Sequence, residues 1–534
     1  MLTSLFSGFS RRELFRGGGW LAALSALRGS PASVAAATAN IYQAIGVEPV
    51  INCKGTFTII SGSLTLPEVK RAMDEASRHY IHLDELMNAV GKRLAELTGA
   101  EWGIVTAGCA AALTHATAAC IAGADPEKMQ RLPILTGLKN EVIIPKYSRN
   151  VYDHAVRMLG VRIVEVGDKE ELTAAINPKT AMIMILAGPG DEGPLGTEVI
   201  CQIARPKGVP VIVDAAAEIL TIPNVHLKRG ADMVAYSGGK CLRGPQCAGL
   251  LLGRKDLLQA AWLNSAPHHA FGRSLKVGKE EIMGMLAAVE AWTRRDHEAE
   301  WKQWEGWLDH ISRTVTRVEG VTTQVIQPRG LSNRAPHLEI RWDGAKLGIT
   351  GQELEKTLME TQPRIILAGA RGSRRYGMAS SASIMPYMMT PGDEKIAAER
   401  IYALLSKPPK FEAPAPASGA PASVAGQWEV HLEFVRGEAD HTVVFEQRGS
   451  DLVGTHTGDI LAGDLRGSVE GDQIRFRSSH RIEGTRLGYD FTGTVEGDRM
   501  QGTVGLEEYG QARWTAVRHH YGQPGGVVRP VKNV

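Results

Sequence analysis

The sequence predicts an α/β chain: a mostly parallel, seven-stranded, doubly wound sheet, a smaller α/β segment after it, and a small antiparallel β-barrel or sandwich at the C-terminus. Three observations carry this. Between Ile51 and about Gly253, seven near-continuous apolar runs alternate with helix-like segments, and such runs belong to strands buried on both faces. Glycine supplies 59 of 534 residues and aromatics only 6%, as in a fold with many tight strand-to-helix turns. Beyond a Pro/Ala/Ser stretch the hydrophobic period changes to polar–apolar alternation.

The chain opens on an address. Ser10-Arg11-Arg12-Glu13-Leu14-Phe15-Arg16 precedes a Gly/Ala-rich apolar stretch to Leu27 and Ala-x-Ala steps around Ala35–Ala39. That order of charge, apolar region and cleavage-like step resembles a twin-arginine export signal over residues 1–38 and predicts a periplasmic or otherwise exported protein. The alternative is a basic amphipathic helix. The apolar stretch is too short and too rich in glycine to span a membrane, which takes ~20 residues, so no membrane span is expected in the mature protein.

The large domain is expected over 39–275, with strands in GIVTAG (103–108), NEVIIP (140–145), VRIVEV (161–166), AMIMILAG (181–188), VPVIVDA (209–215), DMVAYSGG (232–239) and AGLLLG (248–253). A long helix near Gly278–Trp307 opens a smaller α/β domain, 276–408, with strands HLEIRW and RIILAG and a closing helix GDEKIAAERIYALLS. Residues 409–426 form a Pro/Ala/Ser linker that cannot build a core. Residues 427–520 form the β-domain, in which GSVEGDQI and GTVEGDRM repeat one hairpin design. Its partner is unknown from the residues.

Composition excludes several functions. A formal charge of +2, with 22% charged residues, leaves no basic face for nucleic acid. The six cysteines show neither CxxC nor metal-ligand spacing, so neither a disulfide framework nor a metal site is expected.

Chemistry concentrates in VDAAAE and YSGGKCLRG. Asp214, at the end of a buried strand, is costly as a free charge and needs a cationic partner. Lys240 follows Ser237-Gly238-Gly239 at the same sheet edge, where a desolvated amine attacks a carbonyl. Together they read as the two ends of a pyridoxal phosphate site. Asp214 holds the pyridine nitrogen protonated, Lys240 forms the Schiff base with the aldehyde, and Ala216 is small enough to lie beneath a flat ring. TAGCAAALTHATAAC runs from a strand into an Ala-rich helix, so the N–H groups of Gly108, Cys109 and Ala110 face an anion, and Ser237 adds a hydroxyl.

These residues sit in longer motifs: INCKGTFT, AVGKRLAELTGAEWGIVTAGCAAAL, VDAAAE, YSGGKCLRGPQCAGLLLGRKDL, GRSLKVGKEEIMGMLAAVEAW and MMTPGDE. From about Ile51 to Leu405 the chain resembles the selenocysteine synthase/D-glucosaminate-6-phosphate ammonia-lyase group of fold-type-I pyridoxal phosphate enzymes. The resemblance implies a homodimer or larger homo-oligomer, with neighbouring subunits completing each site. It places Lys240 at the Schiff-base lysine, Asp214 at the ring-nitrogen partner and Gly108–Ala110 at the phosphate loop.

Arg364 sits where fold-type-I enzymes often place a substrate-carboxylate clamp, a task for which bidentate geometry favours arginine; a surface salt bridge is the alternative, and Arg371 or Arg374 are substitutes for the clamp. In KYSRNVYDHAV, Ser148, Arg149, Tyr152 and His154 are candidates to face ring or substrate. Arg273, Lys276 and Lys279 are candidates to reach a phosphate across a subunit interface. An export signal and no basic face discount a tRNA substrate. The expected function is α,β-elimination at the α-carbon of a small amino acid or amino-sugar acid, with the freed Lys240 amine as base. Racemisation, aldol cleavage and transamination share its first steps and stay open, as does a non-catalytic binding protein using the β-domain.

Overall fold

The computed structural model describes residues 40–374, 377–411 and 419–520. Two units separate after Pro49. In the first, residues 40–49 are exposed and form one short turn, Gln43–Ile45. The expected export signal lies outside the described residues.

In the second unit the seven apolar runs are the seven strands of one sheet. Their spatial order is Trp102–Thr106, Gly249–Gly253, Met233–Ser237, Val211–Asp214, Thr180–Leu186, Glu141–Pro145, Arg162–Val166. Gly249–Gly253 is antiparallel to both neighbours, and the other pairs run parallel. Trp102–Thr106, Val211–Asp214 and Met233–Ser237 therefore point the same way. Their carboxyl ends meet along one edge, where ligands gather in open α/β sheets. Helix Gly108–Ala122 leaves that edge, and its run of Ala and Thr is buried almost throughout. Small side chains let it lie close against the sheet.

A second core holds a four-stranded antiparallel sheet, ordered Gly369–Ser373, Gly377–Ile384, His337–Asp343, Thr322–Ile326, under helices His297–Val315, Gly351–Glu360 and Asp393–Ser406. Strand Ile51–Cys53 pairs in parallel with Ile365–Leu367, and Cys53 is buried in this core. The smaller core thus draws on residues well before 276. Conversely, Ile282, Met285, Val289 and Trp292 of helix Lys279–Arg294 pack into the large core.

The expected single helix over Gly278–Trp307 is two helices, Lys279–Arg294 and His297–Val315. Arg295 is extended, and Asp296 starts the second helix by accepting from Ala299 N at 2.9 Å. An N-cap of this kind supplies a backbone bond that a continuous helix would not need. The break turns Arg295 toward a cavity.

The C-terminal domain is a closed eight-stranded antiparallel barrel, Gly426–Glu433 to Gln511–Arg518, each strand paired with its sequence neighbours and the last with the first. Trp428, Phe445, Phe476, Phe491 and Trp514 fill much of the interior. The two repeated motifs are hairpin bends in which Gly471 (φ 58°) and Gly497 (φ 62°) supply left-handed backbone.

Candidate active site

Strand Trp102–Thr106 turns into its helix through Gly108, whose φ of 86° lies in the left-handed region. The Thr106 hydroxyl donates to the Gly108 carbonyl at 2.8 Å. Across the turn, a Cβ at Gly249 would sit 2.4 Å from the Gly108 carbonyl carbon and 2.7 Å from Cys109 N. That close approach sets the loop's position. Ala107 caps the helix with no side-chain bond, so its first-turn N–H groups face outward without a capping partner.

Asp214 ends its strand 2% exposed. Its Oδ1 accepts from Ala216 N at 3.1 Å and from the Cys109 thiol at 3.6 Å. Burial pushes its carboxyl above the usual range, opposed by the Ala216 N–H, the Lys240 charge and the Cys109 thiol. Burial also pushes the Cys109 thiol well up, and the Asp214 charge adds to this.

Lys240 closes a tight turn. Gly238 N donates to Ala248 O and Gly244 N to Gly238 O, both at 2.8 Å. Neither glycine tolerates a side chain: a Cβ at Gly238 would meet Ala248 O at 2.8 Å, and one at Gly239 would meet Gln246 Oε1 at 2.1 Å. The Lys240 Nζ lies 5.9 Å from the centre of the Tyr152 ring.

These residues fit pyridoxal phosphate. A buried carboxylate with one N–H and one thiol suits a protonated ring nitrogen, an uncapped helix turn suits a phosphate, and an amine lies within electrostatic reach of the acid.

The other expected positions are spread over several elements. Ser148 is fully buried and its hydroxyl accepts from Leu186 N at 3.0 Å, which ties it to a strand. Arg149 is held by Asp153 at 2.7 Å, Glu483 at 2.5 Å and Glu165, with only 2% of its side chain exposed. Three carboxylates occupy its guanidinium, so it is a structural hub. Arg364 stands at the start of Ile365–Leu367, where its Nε donates to Met359 O at 2.8 Å. Arg374 pairs with Glu353 and Arg371 is exposed on its strand. His154, Arg273 and Lys276 are exposed, and Lys279 pairs with Glu280.

Sequence reasoning passed over the buried cluster behind the site. The Glu218 carboxylate bonds His226 Nε2 at 2.6 Å, and its carbonyl accepts from the Cys241 thiol at 2.8 Å. Glu218 thereby links the turn after Asp214 to the turn after Lys240. Its only signal was a second acid four residues after Asp214 in VDAAAE.

The barrel touches the same region. Its hairpin tip at Glu483-Gly484 packs on Asn150–Asp153, the segment carrying Tyr152: Glu483 bonds Arg149, and a Cβ at Gly484 would fall 1.9 Å from Asn150 O.

Residues 76–272 match the aminotransferase class-V family. D-glucosaminate-6-phosphate ammonia lyase of Salmonella typhimurium is 31% identical over 333 residues, covering 60% of this chain and 87% of that protein. 5'-C-glycyluridine monooxygenase-decarboxylase of a Streptomyces species is 32% identical over 310 residues, covering 54% of this chain and 73% of that protein. A solved structure of D-glucosaminate-6-phosphate ammonia-lyase superposes with a TM-score of 0.61 at 28% identity, covering 69% of this chain and 98% of that one. The chain belongs to the fold-type-I, pyridoxal phosphate-dependent aminotransferase class-V enzymes, in the group that contains D-glucosaminate-6-phosphate ammonia lyase.

Proposed function

We propose that this protein is an exported lyase that acts at the α-carbon of an amino acid or amino-sugar acid, eliminating across α and β carbons with release of ammonia. The observation that carries it is the convergence of buried Asp214, the uncapped Gly108 helix turn and Lys240 on one sheet edge. Similarity to an ammonia lyase supports the reaction type.

When bound, pyridoxal phosphate supplies an electron sink for the α-carbon. Asp214 keeps a proton on the ring nitrogen; its low solvation strengthens that interaction. The N–H groups of Gly108, Cys109 and Ala110 and the Ser237 hydroxyl bind the phosphate. Ala216 leaves space for a flat ring, and Tyr152 covers the lysine from the other segment. The Lys240 amine would hold the cofactor and would serve as the general base for the α-proton. Arg364 is the carboxylate arginine in this reading.

The protein works as a homodimer or larger homo-oligomer. Export rests on the order of residues 10–39, and N-terminal sequencing of the periplasmic protein, with a start near Ala39, tests it.

The test of the chemistry is borohydride reduction of the purified protein followed by peptide mass spectrometry. A pyridoxyl adduct on Lys240 is expected. Protein reconstituted with pyridoxal phosphate that carries no adduct there overturns the assignment. Ammonia and keto-acid release from a panel of amino acids and amino-sugar acids then separates elimination from racemisation, aldol cleavage or transfer.

A further inference from the structure

A cavity of about 600 Å³ opens where the helix breaks at Arg295-Asp296. It has the volume of a small-molecule site. Its walls come from Ile219–Ile222, Cys241, Arg243, the 292–307 segment, Arg334 and Tyr387–Pro391. Asp214, Lys240 and the Gly108 turn do not line it, so it is separate from the cofactor site although Cys241 follows the lysine.

Its charge is unbalanced. Arg243, Arg295 and Arg334 face one lining carboxylate, Glu300, 3.7 Å from Arg295 Nε. The Arg295 side chain is 12% exposed; its Nη1 donates to Cys241 O at 3.2 Å, while its Nη2 is buried without a partner. A buried cationic donor left unpaired is costly unless an acceptor arrives. Burial, with the Arg295 charge added, pulls the Arg243 guanidinium below its usual range. Arg243 also holds a φ of 52°, rare for a residue with a side chain.

The walls are aromatic. The Arg295 guanidinium lies 5.2 Å from the Trp292 ring centre and that of Arg334 5.9 Å from Trp301. Trp301 and Trp304 are 6.1 Å apart, and Trp304 meets Tyr387 edge-on at 5.3 Å. A guanidinium stacked on an indole keeps its N–H edge available for an oxyanion, and the indole faces accept a flat body.

We propose that this cavity binds a second small organic anion, distinct from the cofactor, whose carboxylate or phosphate is carried on an aromatic or sugar ring. The acid group sits between Arg295 and Arg243, and the ring lies against Trp301 and Trp304.

Isothermal titration of the holoenzyme tests this with two anions, 4-nitrobenzoate and glucose 6-phosphate, beside their uncharged counterparts, 4-nitrobenzamide and glucose. At least one anion is expected to bind with a Kd on the order of 1 mM or tighter, and its neutral counterpart roughly tenfold more weakly. Which anion binds identifies the acid and ring. Arg295→Gln is expected to weaken that anion roughly tenfold with the cofactor's visible absorbance unchanged. Arg295 also supports the Cys241 carbonyl, so Arg243→Gln, at the other residue flanking the acid group, repeats the comparison if the first variant does not fold. No binding by either anion, equal binding by charged and neutral probes, unchanged affinity in the folded variants, or displacement of the cofactor each overturns the proposal.

Discussion

At the sheet edge Asp214 is 2% exposed and receives one backbone N–H and one thiol; in the barrel His456 is 0% exposed and both its ring nitrogens are taken. His441 Nδ1 meets His456 Nε2 at 2.8 Å, while Ser478 Oγ and His480 Nε2 meet His456 Nδ1 at 2.6 Å and 3.3 Å. Glycines make room for this layer: a Cβ at Gly458 would lie 2.7 Å from His441 Nε2, and one at Gly463 3.0 Å from His480 Nδ1. Among the described residues no group of three His, Cys, Asp or Glu is disposed to hold a metal. One region buries an acid and leaves it short of partners; the other closes both ring nitrogens of His456 on two further histidines and a serine, and leaves the outer His480 Nδ1 without a partner. A ring with both nitrogens taken, as at His456, serves the fold, whereas the Asp214 carboxylate sits where the uncapped helix turn and Lys240 also converge.

The largest effect expected from this contrast is on turnover. Asp214→Asn keeps the shape and removes the charge, so activity is expected to fall about a thousandfold, the scale of losing a preorganised electrostatic partner. Stability moves the other way. Burial raises the Asp214 carboxyl, and a raised group favours folding below its unfolded value and penalises it once pH passes the folded value. At neutral pH the cofactor-free Asp214→Asn protein is therefore expected to melt no lower than the parent. Steady-state kinetics beside thermal melts of the cofactor-free protein check both arms. An Asn variant that loses stability but keeps turnover would place Asp214 with the histidines.

The barrel responds to acid instead. Burial, with His441 and His480 adding, lowers His456 to about 3. A depressed base binds protons more readily in the unfolded chain, so its contribution is complete above an unfolded value near 6.5 and drains as pH falls. By pH 4 the loss is on the order of 3 kcal/mol. His456→Gln is expected to flatten the acid limb of the barrel's unfolding, followed by near-ultraviolet circular dichroism of its tryptophans, with turnover at neutral pH unchanged. His115 in the large body, lowered by burial to about 4, sets a similar limb there that the substitution leaves intact.

How much of this was legible in the sequence follows the same physics. The seven strands could be read because burial on both faces writes continuous apolar runs, and Asp214 and Lys240 because each sits just past such a run. In the barrel, Asp451–Thr457, Ala462–Glu470 and Arg499–Gly505 gave weaker signals. Gly454, Gly467 and Gly502 stand where the neighbouring strand comes too close for a side chain: a Cβ at Gly454 would lie 1.8 Å from Val444 O. The Arg295-Asp296 break was hidden because helix-forming residues flank it on both sides. The ion pairs of Arg149 were not legible because its partners Glu165 and Glu483 are 16 and 334 residues away, and local sequence carries no record of them.

The joint between barrel and body should show the smallest effect, and it asks to which side of the contrast the Tyr152 segment belongs. A Cβ at Gly484 would fall 1.9 Å from Asn150 O and 2.5 Å from Asp153 Oδ2, so Gly484→Ala must lift the hairpin tip or shift the 150–153 segment. Because Tyr152 lies 5.9 Å from the Lys240 amine, a shift there reaches the site indirectly, and a loss of roughly threefold to tenfold in kcat/KM is expected, within the range for displaced positioning groups. Glu483→Gln should do less, since Arg149 keeps Asp153 and Glu165. Barrel melting and cofactor content are expected to stay constant in both variants, which separates a displaced segment from a damaged domain. Turnover equal to the parent in Gly484→Ala would mean that the barrel rests on this segment without positioning it, and the joint would then join the histidine layer as architecture alone.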